Sequence, residues 1–380
     1  MLFSPLKLKT ITMNKILTNK KEHLKSLAKK EFDLDMNFIL DNSKKELNFL
    51  SNKKVLFTGG CGFIGYYFYW LIINWNKKNR KNKINYTILD NIKKKPHWID
   101  STKINFIKKD LTKLKSNFFT KFDVIIHGAS IASPTHYRKE PIRTMKGNIL
   151  GLWNILEGLK NKNKNKILFF FSSSEIYGDA HKNFIPTKEN YNGNVSSTGP
   201  RACYDESKRF GETLVINYSR HYKFKSVIIR PFNNYGPGMK LNDKRLLPDL
   251  MGNIINNKDL VLYSNGSPTR TFCYIADAIV GYLKAIKNSK YGNIYNIGSN
   301  HPEISTIKLA KLVAKISKKI LGYTGKVIFK KSDDINYLKD NPQRRCPDMT
   351  KAKKELKFSS KIKLEKGLSK LLLYYINLKI

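Results

Sequence analysis

The fold is decided by the stretch Val55-Leu56-Phe57-Thr58-Gly59-Gly60-Cys61-Gly62-Phe63-Ile64-Gly65. It joins a short apolar strand to glycines spaced Gly-x-x-Gly-x-x-Gly, and a helix rich in Tyr, Trp, Leu and Ile follows to about Asn74. Because glycine has no Cβ, Gly59, Gly62 and Gly65 let the backbone turn tightly and approach a pyrophosphate, which the helix N-terminus then binds. A strand, a glycine turn and a helix in this order predict a dinucleotide-binding unit.

The next predicted strand indicates which dinucleotide binds. Tyr86–Leu89 is apolar and ends in Asp90. A carboxylate at this place accepts hydrogen bonds from both ribose hydroxyls and repels a 2′-phosphate, so it favours NAD over NADP. The alternative is that the glycines form only a structural turn, but the strand, the helix and the acid together argue against it.

The same alternation of strands and helices continues along the chain. Further strands are predicted at 104–107, 124–127, 167–171 and 227–229, and helices at 143–159 and from Tyr204 to about Tyr222. This pattern predicts an α/β protein with a Rossmann-type, doubly wound parallel sheet. Its binding crevice should lie at the carboxyl ends of the strands. The predicted cofactor-binding residues are Gly59, Gly62, Phe63, Ile64, Gly65, Asp90, Asn91, Asp110, Leu111, Ala129, Ser130, Asn148, Ser172, Tyr204 and Lys208.

The chain of 380 residues is long enough for two lobes. We expect an N-terminal helical extension at 1–52, an NAD-binding domain at 53–235 with a return segment near 271–285, and a smaller, mainly substrate-binding lobe at 236–380. A transit peptide is an alternative for the first residues, but they contain no Arg and little Ser.

Composition limits the partners. The formal net charge is +42, but Lys is used along the whole chain, so we interpret the charge as a compositional bias and expect no nucleic-acid or membrane partner. No apolar run reaches about 18 residues, the length of a membrane span. Four separated cysteines without a Cys-x-x-Cys pair suit a reducing cytoplasm and argue against a disulfide framework or a metal site.

The stretch Thr198–Arg209 carries the candidate catalytic pair. Tyr204 and Lys208 are four residues apart, so they share one helix face. A free Tyr titrates near ~10, and a neighbouring positive charge favours its phenolate. Such a phenol can remove a proton from a sugar hydroxyl. The pair alone is a weak signal, because a surface helix with a half-buried Tyr has the same pattern.

Taken together, these motifs resemble the extended short-chain dehydrogenase/reductase family, the NAD-dependent epimerases and dehydratases, over roughly residues 53–360. Within the family, the chain is most similar to the UDP-glucuronate decarboxylases, also called UDP-xylose synthases. Three parts of the sequence carry this similarity: Ala132–Tyr137 with Pro141–Thr144, Gly199–Arg209, and Asn341–Asp348. The stretch Gly199–Arg209 is far more specific than a bare Tyr-x-x-x-Lys.

The resemblance implies a reaction. The dehydratases typically carry Asp-Glu after strand five and the epimerases an apolar residue at the place of Glu175, whereas this chain has Ser174-Glu175. The implied activity is NAD-dependent decarboxylation of UDP-glucuronate to UDP-xylose through a 4-keto sugar. The implied catalytic residues are Tyr204, Lys208, Ser174, Glu175 and Arg270. The implied substrate-binding residues are Ser174, Glu175, Asn233, Arg245, Arg270 and Arg345.

Two departures keep alternatives open. Gly238 stands where the decarboxylases usually have Arg, and the N-terminal extension is unlike theirs. A nucleotide-sugar 4-epimerase or 4,6-dehydratase for surface polysaccharide synthesis is one alternative, and a non-catalytic nucleotide-sugar or nucleic-acid binding protein is another. The family resemblance also implies a homodimer through the Tyr204 helix and the helix at 143–159, with Leu150, Trp153 and Leu214 as candidate contacts.

Overall fold

The computed structural model describes the backbone of residues 5–160 and 165–379 and the side chains of 22–160 and 165–378. The helices are α1 (Pro5–Asn42), α2 (Lys44–Leu50), α3 (Phe63–Lys78), α4 (Pro134–Lys139), α5 (Pro141–Leu159), α6 (Ala202–Tyr222), α7 (Leu246–Ile255), α8 (Ile275–Lys287), α9 (Thr306–Leu321), α10 (Thr350–Leu356) and α11 (Leu364–Lys379).

The strands are β1 (Lys54–Thr58), β2 (Asn85–Asp90), β3 (Asn105–Lys108), β4 (Val124–His127), β5 (Ile167–Phe171), β6 (Lys225–Pro231), β7 (Asn234–Tyr235), β8 (Leu260–Leu262), β9 (Thr269–Arg270), β10 (Cys273–Tyr274), β11 (Tyr291–Ile297), β12 (Ile304–Ser305), β13 (Val327–Phe329) and β14 (Arg344–Arg345).

A seven-stranded parallel sheet forms the centre of the molecule. Its strand order is β11-β6-β5-β4-β1-β2-β3. The chain leaves β1 toward one edge and returns through β4 toward the other, so the order reverses between β1 and β4. Ligands of open α/β sheets bind at such a reversal, outside the carboxyl ends of the strands. The predicted Rossmann-type doubly wound sheet is confirmed.

The strand positions follow the hydrophobic pattern closely. The predicted strands at 124–127 and 167–171 have the observed bounds, and the others differ by one to a few residues. The strand predicted at 227–229 extends to 225–231, because its ends are polar residues that the apolar pattern does not mark. The short helix α4 was not predicted.

Alternate residues of the central strands fill two separate cores. On β5, Phe169 and Phe171 belong to the core on one face of the sheet, and Leu168 and Phe170 to the core on the other. These strand residues are at most 5% exposed, so β5 is apolar on both faces, as expected for a parallel sheet covered by helices. The helices α5 and α6 pack together beside the second core, which brings the start of α6 to the end of β5.

The later part of the chain forms short strands and then returns to the main sheet. The strands β8 and β13 pair with each other, and β9 pairs with both β12 and β14. The predicted return segment near 271–285 corresponds to β10 and most of α8. The structure adds β11, which pairs with β6 at the sheet edge and therefore belongs to the sheet although it lies beyond the boundary at residue 236. The division into domains stays a prediction.

The N-terminal helix α1 is packed onto the body. Its Asp35 is 1% exposed and accepts hydrogen bonds from Tyr67, Tyr274 and Lys370, at 3.1, 2.5 and 2.5 Å. These donors lie on α3, β10 and α11, so one carboxylate joins the extension to three parts of the chain. Residues 1–4 of the predicted extension lie outside the described residues. Within the described chain, we find no helix with the length and apolarity to cross a membrane.

Candidate active site

A cavity of about 830 Å³ opens at the carboxyl ends of β1, β2, β4 and β5. It lies at the reversal of strand order, where the sheet topology places a ligand. Most of the predicted site residues line it: Gly59, Gly62, Phe63, Ile64, Gly65, Asp90, Asn91, Asp110, Leu111, Ala129, Ser130, Ser172, Ser174, Glu175, Tyr204, Lys208, Asn233 and Arg245.

The glycine turn has no room for side chains. Gly59 has φ +74°, and a Cβ there would lie 2.6 Å from the Cα of Ala129. A Cβ on Gly65 would lie 2.1 Å from the carbonyl oxygen of Gly60. A Cβ on Gly62 would lie 3.3 Å from the carbonyl oxygen of Gly59, which is still a tight contact. Added side-chain atoms at these three glycines would therefore crowd the turn that lines the cavity.

The surroundings of the turn fit NAD. The helix α3 begins at Phe63 without a side-chain cap, so its first N–H groups are available to a pyrophosphate. The carboxylate of Asp90 accepts a hydrogen bond of 3.0 Å from the Cys61 N–H, which fixes it at the tip of β2. The Ser130 hydroxyl is buried, lines the cavity and has no partner in the described structure. Donors and acceptors are thus present where a dinucleotide would need them.

The Tyr204–Lys208 pair lies in the first two turns of α6, as the sequence predicts. Tyr204 is 5% exposed, and its ring stacks on that of Tyr137 at 4.9 Å between centroids. The Lys208 Nζ donates a hydrogen bond of 2.8 Å to the carbonyl oxygen of Phe171, at the end of β5. It lies 5.8 Å from the centre of the Tyr204 ring. The lysine is therefore anchored next to the phenol.

Burial dominates the electrostatics of this pair. It raises the pKa of Tyr204 to about 12, and a hydrogen bond with Ser173 opposes the rise. Burial also lowers the pKa of Lys208 to about 7, while the charge of Glu212 raises it. The expectation that Lys208 favours the phenolate is therefore outweighed in this structure, because both groups are removed from water.

Two neighbouring serines, Ser173 and Ser174, line the cavity near the candidate base. Ser173, which the prediction omitted, forms the hydrogen bond with the Tyr204 side chain. Its Oγ also accepts a hydrogen bond of 3.2 Å from the Glu175 N–H. Ser174 lines the same cavity and is 3% exposed. Both serines are near the reacting end, but Ser173 is the one that contacts the candidate base.

Glu175 lies between two arginines. Its Oε2 pairs with Arg201 and its Oε1 with Arg345. Although burial opposes ionisation, the charges of Arg201 and Arg345 hold the pKa of Glu175 at about 2. Arg201 also pairs with Asp205 at 3.4 Å, and burial together with Glu175 raises the pKa of Asp205 to about 7. Glu175 thus lines the cavity as a carboxylate, and behind it the pKa of the buried Asp205 is raised.

Three predicted site residues are not among those that line the cavity. Asn148 is buried on α5 and donates its amide N–H to Ser207 at 2.7 Å. Arg345 reaches the site only through Glu175, because β14 pairs with β9 beside it. Arg270 donates instead to backbone carbonyls, at 2.8 Å to Thr269 and 3.2 Å to Gln343. The contacts of Arg270 and Arg345 with substrate stay a prediction.

Sequence reasoning missed three residues that shape the site. Arg201, Tyr137 and Ser173 all line the cavity. Each stands in a stretch that the resemblance had already singled out or beside a predicted residue, so position within a specific motif was the available signal. In the described residues, no group of side chains is arranged to bind a metal ion.

Comparison with known proteins places the chain among nucleotide-sugar enzymes. Residues 55–298 match the model of the NAD dependent epimerase/dehydratase family. UDP-glucuronic acid decarboxylase 6 of Arabidopsis thaliana is 36% identical over 326 residues, 84% of this chain and 88% of that protein. UDP-glucuronic acid decarboxylase 1 of Xenopus tropicalis is 34% identical over 336 residues, which cover 87% of this chain and 74% of that protein.

Solved structures share the fold. The UDP-glucose 4-epimerase of Thermotoga maritima, solved with UDP-glucose, superimposes with a TM-score of 0.71 at 22% identity. The superposition covers 84% of this chain and 98% of the epimerase. At this identity the likeness concerns the fold alone.

Proposed function

The chain belongs to the NAD dependent epimerase/dehydratase family, and from this premise we propose that it decarboxylates UDP-glucuronate to UDP-xylose. The net reaction takes up one proton and releases CO2, with no net change in oxidation state. Identity of 36% to a UDP-glucuronic acid decarboxylase over most of both chains supports the substrate.

The observation that carries the proposal is the pair Ser174 and Glu175, which lines the cavity just after β5. A 4,6-dehydratase needs an acid that gives a proton to the departing hydroxyl, whereas Glu175 is held as a carboxylate by Arg201 and Arg345. Its neighbour is Ser174, which cannot supply that proton at neutral pH. Glu175 therefore acts in positioning, as an acceptor for the sugar hydroxyls.

Tyr204 is the base for the C4 hydroxyl of the sugar. Ser173 donates to the phenol oxygen and stabilises the developing phenolate, and the ammonium of Lys208 adds positive charge nearby. NAD, when bound, supplies the acceptor that takes the hydride from C4 and later returns it. Tyr137, stacked on Tyr204, keeps water from that face of the phenol.

Loss of CO2 follows from the 4-keto group. The C5 carboxylate is then β to a ketone, and the C5 electron pair moves into the carbonyl as an enolate when the C–C bond breaks. The protonated Tyr204 and Ser173 donate hydrogen bonds toward the C4 oxygen, where this charge develops. A proton then adds at C5.

Arg245 lines the cavity and provides a positive charge for the diphosphate of the substrate, since guanidinium suits bidentate phosphate binding.

The experiment is a product assay by mass spectrometry. Purified protein with NAD and UDP-glucuronate should give a UDP-pentose and CO2, and Tyr204→Phe should lower the rate by about 1,000-fold. A product of unchanged mass would identify an epimerase, and turnover of UDP-glucose or dTDP-glucose alone a dehydratase. Either result contradicts the proposal.

The two serines offer a matched pair of variants. We expect Ser173→Ala to lower kcat by about 100-fold, because the hydrogen bond to Tyr204 is lost. Ser174→Ala should cost less than about tenfold. A larger loss from Ser174→Ala would restore the role that the sequence analysis gave it.

We also propose a homodimer through α5 and α6. Leu150, Trp153 and Phe210 are exposed by 47, 43 and 44%, which supports an apolar contact surface on these helices. Leu214, a candidate contact in the sequence analysis, is 8% exposed and packs in the core, so it is not part of that surface. Light scattering of the unmodified protein should give the mass of two chains. The same measurement on Trp153→Glu should give the mass of one chain.

The cytoplasm is the compartment that we propose. All four cysteines are free thiols in the structure, which suits a reducing environment. Fractionation of the source cells with an antibody against the chain tests this, and recovery in an organelle or outside the cell would contradict it.

A further inference from the structure

The buried carboxylate of Glu212 is not needed as a ligand in the reaction above. It lies on α6, one turn after Lys208, and is 8% exposed. Arg230 donates two hydrogen bonds to it, from Nε at 2.9 Å and from Nη2 at 2.6 Å. The hydroxyl of Ser172 donates a third, at 2.5 Å. Three donors, two from β6 and one from the residue after β5, thus fix the orientation of one carboxylate.

The end of β5 connects this carboxylate to Lys208. The Phe171 carbonyl oxygen accepts the hydrogen bond from the Lys208 Nζ, and the next residue, Ser172, binds Glu212. Because Lys208 and Glu212 are four residues apart on one helix, their side chains lie on the same face. The last residue of β5 and the residue that follows it therefore hold the two opposite charges of α6.

The other titratable groups facing Lys208 are neutral. Burial lowers the pKa of His127, on β4, to about 3, and it raises that of Tyr204 to about 12. Neither group carries a negative charge near neutral pH. Burial lowers the pKa of Lys208, and Glu212 is the group that raises it. The charge of Arg230, on β6, reaches Lys208 only beyond the carboxylate that it binds.

We propose that Glu212, held by Arg230 and Ser172, is a positioning residue that keeps Lys208 protonated in the active site. The proposal rests on the role of Lys208 in the proposed function. A charged lysine attracts ribose oxygens and stabilises the Tyr204 phenolate better than a neutral amine does. Removing the carboxylate should therefore make Lys208 lose its proton at a lower pH.

The test measures NAD binding, without any sugar, by calorimetry from about pH 5 to 9. We expect the NAD dissociation constant of the unmodified protein to rise as Lys208 loses its proton, and Lys208→Met to remove this inflection. Glu212→Gln should move the inflection about one pH unit lower, because an opposite charge is lost. Glu212→Asp keeps the charge and should leave the inflection near its original place.

The control is Glu206→Gln, which removes a carboxylate from the same helix. Glu206 pairs instead with Arg209 at 3.5 Å, so the inflection should not move. Glu212→Gln leaves the buried Arg230 without its partner, and the double variant Glu212→Gln/Arg230→Met removes both charges in case the single variant fails to fold. Thermal unfolding is recorded for each variant.

Three results would overturn the proposal: an inflection that stays in place without Glu212, one that persists in Lys208→Met, or an equal shift in Glu206→Gln. Because no sugar is present, failure of the UDP-glucuronate assay would leave these measurements intact. The two proposals can therefore fail separately.

Discussion

The two ends of the active-site cavity are built in different ways. The cofactor end consists of the glycine turn and the tip of β2, which come from neighbouring strands and close through backbone atoms, as in the Cys61 N–H bond to Asp90. The carboxylate end consists of Glu175 between Arg201 and Arg345. Arg345 is 170 positions from Glu175 in the chain.

The difference concerns what each end depends on. The cofactor end depends on the absence of side chains at a few positions, which is a local steric requirement. The carboxylate end depends on charges that meet only after the chain has folded and that balance one another in a partly buried place. We therefore expect the first to respond to added atoms and the second to changes of charge and pH.

The largest effect is expected from Gly65→Ala. The added Cβ would lie 2.1 Å from the Gly60 carbonyl oxygen, so the turn must open. Calorimetry should show NAD affinity reduced by about 100-fold, or about 3 kcal/mol. The control is Gly147→Ala, since Gly147 also lines the cavity but a Cβ there meets nothing within 4 Å. Equal losses in both variants would refute a local steric requirement.

A smaller effect is expected from Arg345→Gln at the other end. The side chain of Arg345 is 5% exposed and that of its partner Glu175 is 23% exposed, so losing the pair should cost about 2 kcal/mol, less than for a fully buried pair. Arg344→Gln is the matched control. Arg344 is 45% exposed and pairs with Glu303 at 2.6 Å, so its loss should cost under about 1 kcal/mol in urea unfolding.

The pH dependence of this difference follows from Glu175. Its pKa in the folded protein is about 2, below the ordinary value of 4.5. The pairing therefore stabilises the protein above about pH 4.5 and is lost as the pH falls toward 2. Arg345→Gln and the unmodified protein should converge in stability at low pH, and a constant difference would contradict the pairing.

Asp205 should act in the opposite direction. Its pKa is raised to about 7 from 3.8, because burial and Glu175 disfavour its charge. The protonated form stabilises the fold below about pH 4, and this contribution is lost as the pH rises to 7. The melting temperature of Asp205→Asn is therefore compared with that of the unmodified protein at pH 5 and at pH 8. The difference, variant minus unmodified protein, should be about 3 °C more positive at pH 8 than at pH 5. If the melting temperatures of the variant and the unmodified protein change equally with pH, the raised pKa of Asp205 is contradicted.

The smallest effect is expected from Cys61→Ala. Its backbone N–H donates to Asp90 at 3.0 Å, and the substitution keeps this hydrogen bond, although it removes the weaker donor of the thiol beside the same carboxylate. NAD affinity should change by less than about twofold, whereas Asp90→Asn, which weakens the acceptor, should lower it by about tenfold. If the two variants weaken binding equally, the thiol itself takes part in binding.

One departure noted in the sequence has a structural reason. Gly238 has φ +92°, and a Cβ there would lie 2.8 Å from the Tyr66 ring. That ring packs against Phe32 of α1 at 5.4 Å between centroids. A longer side chain at position 238 would therefore displace a ring on which the N-terminal helix rests, so the glycine and the extension are two parts of one packing arrangement.

The predictable part of the site was the part with local chemistry. The glycines, Asp90, Tyr204 and Lys208 line the cavity as the sequence predicts, because their positions follow from local spacing. The sequence could not show that Ser173 rather than Ser174 contacts Tyr204, since adjacent serines differ only in the direction of their side chains. Nor could it show that β9 pairs with β14, that Arg270 donates to backbone carbonyls, or that Arg345 pairs with Glu175. The contacts of both arginines with substrate stay a prediction.

By itself, the sequence determined the doubly wound sheet, the dinucleotide turn and the spacing of the Tyr204–Lys208 pair, because strand and helix periodicities and glycine sterics act between near neighbours. Only the tertiary structure decided the charge of Glu175, the burial that raises the pKa of Tyr204, and the Arg230–Glu212 support beneath Lys208. Those properties depend on desolvation and on charges brought together from distant segments, and neither is encoded in local spacing.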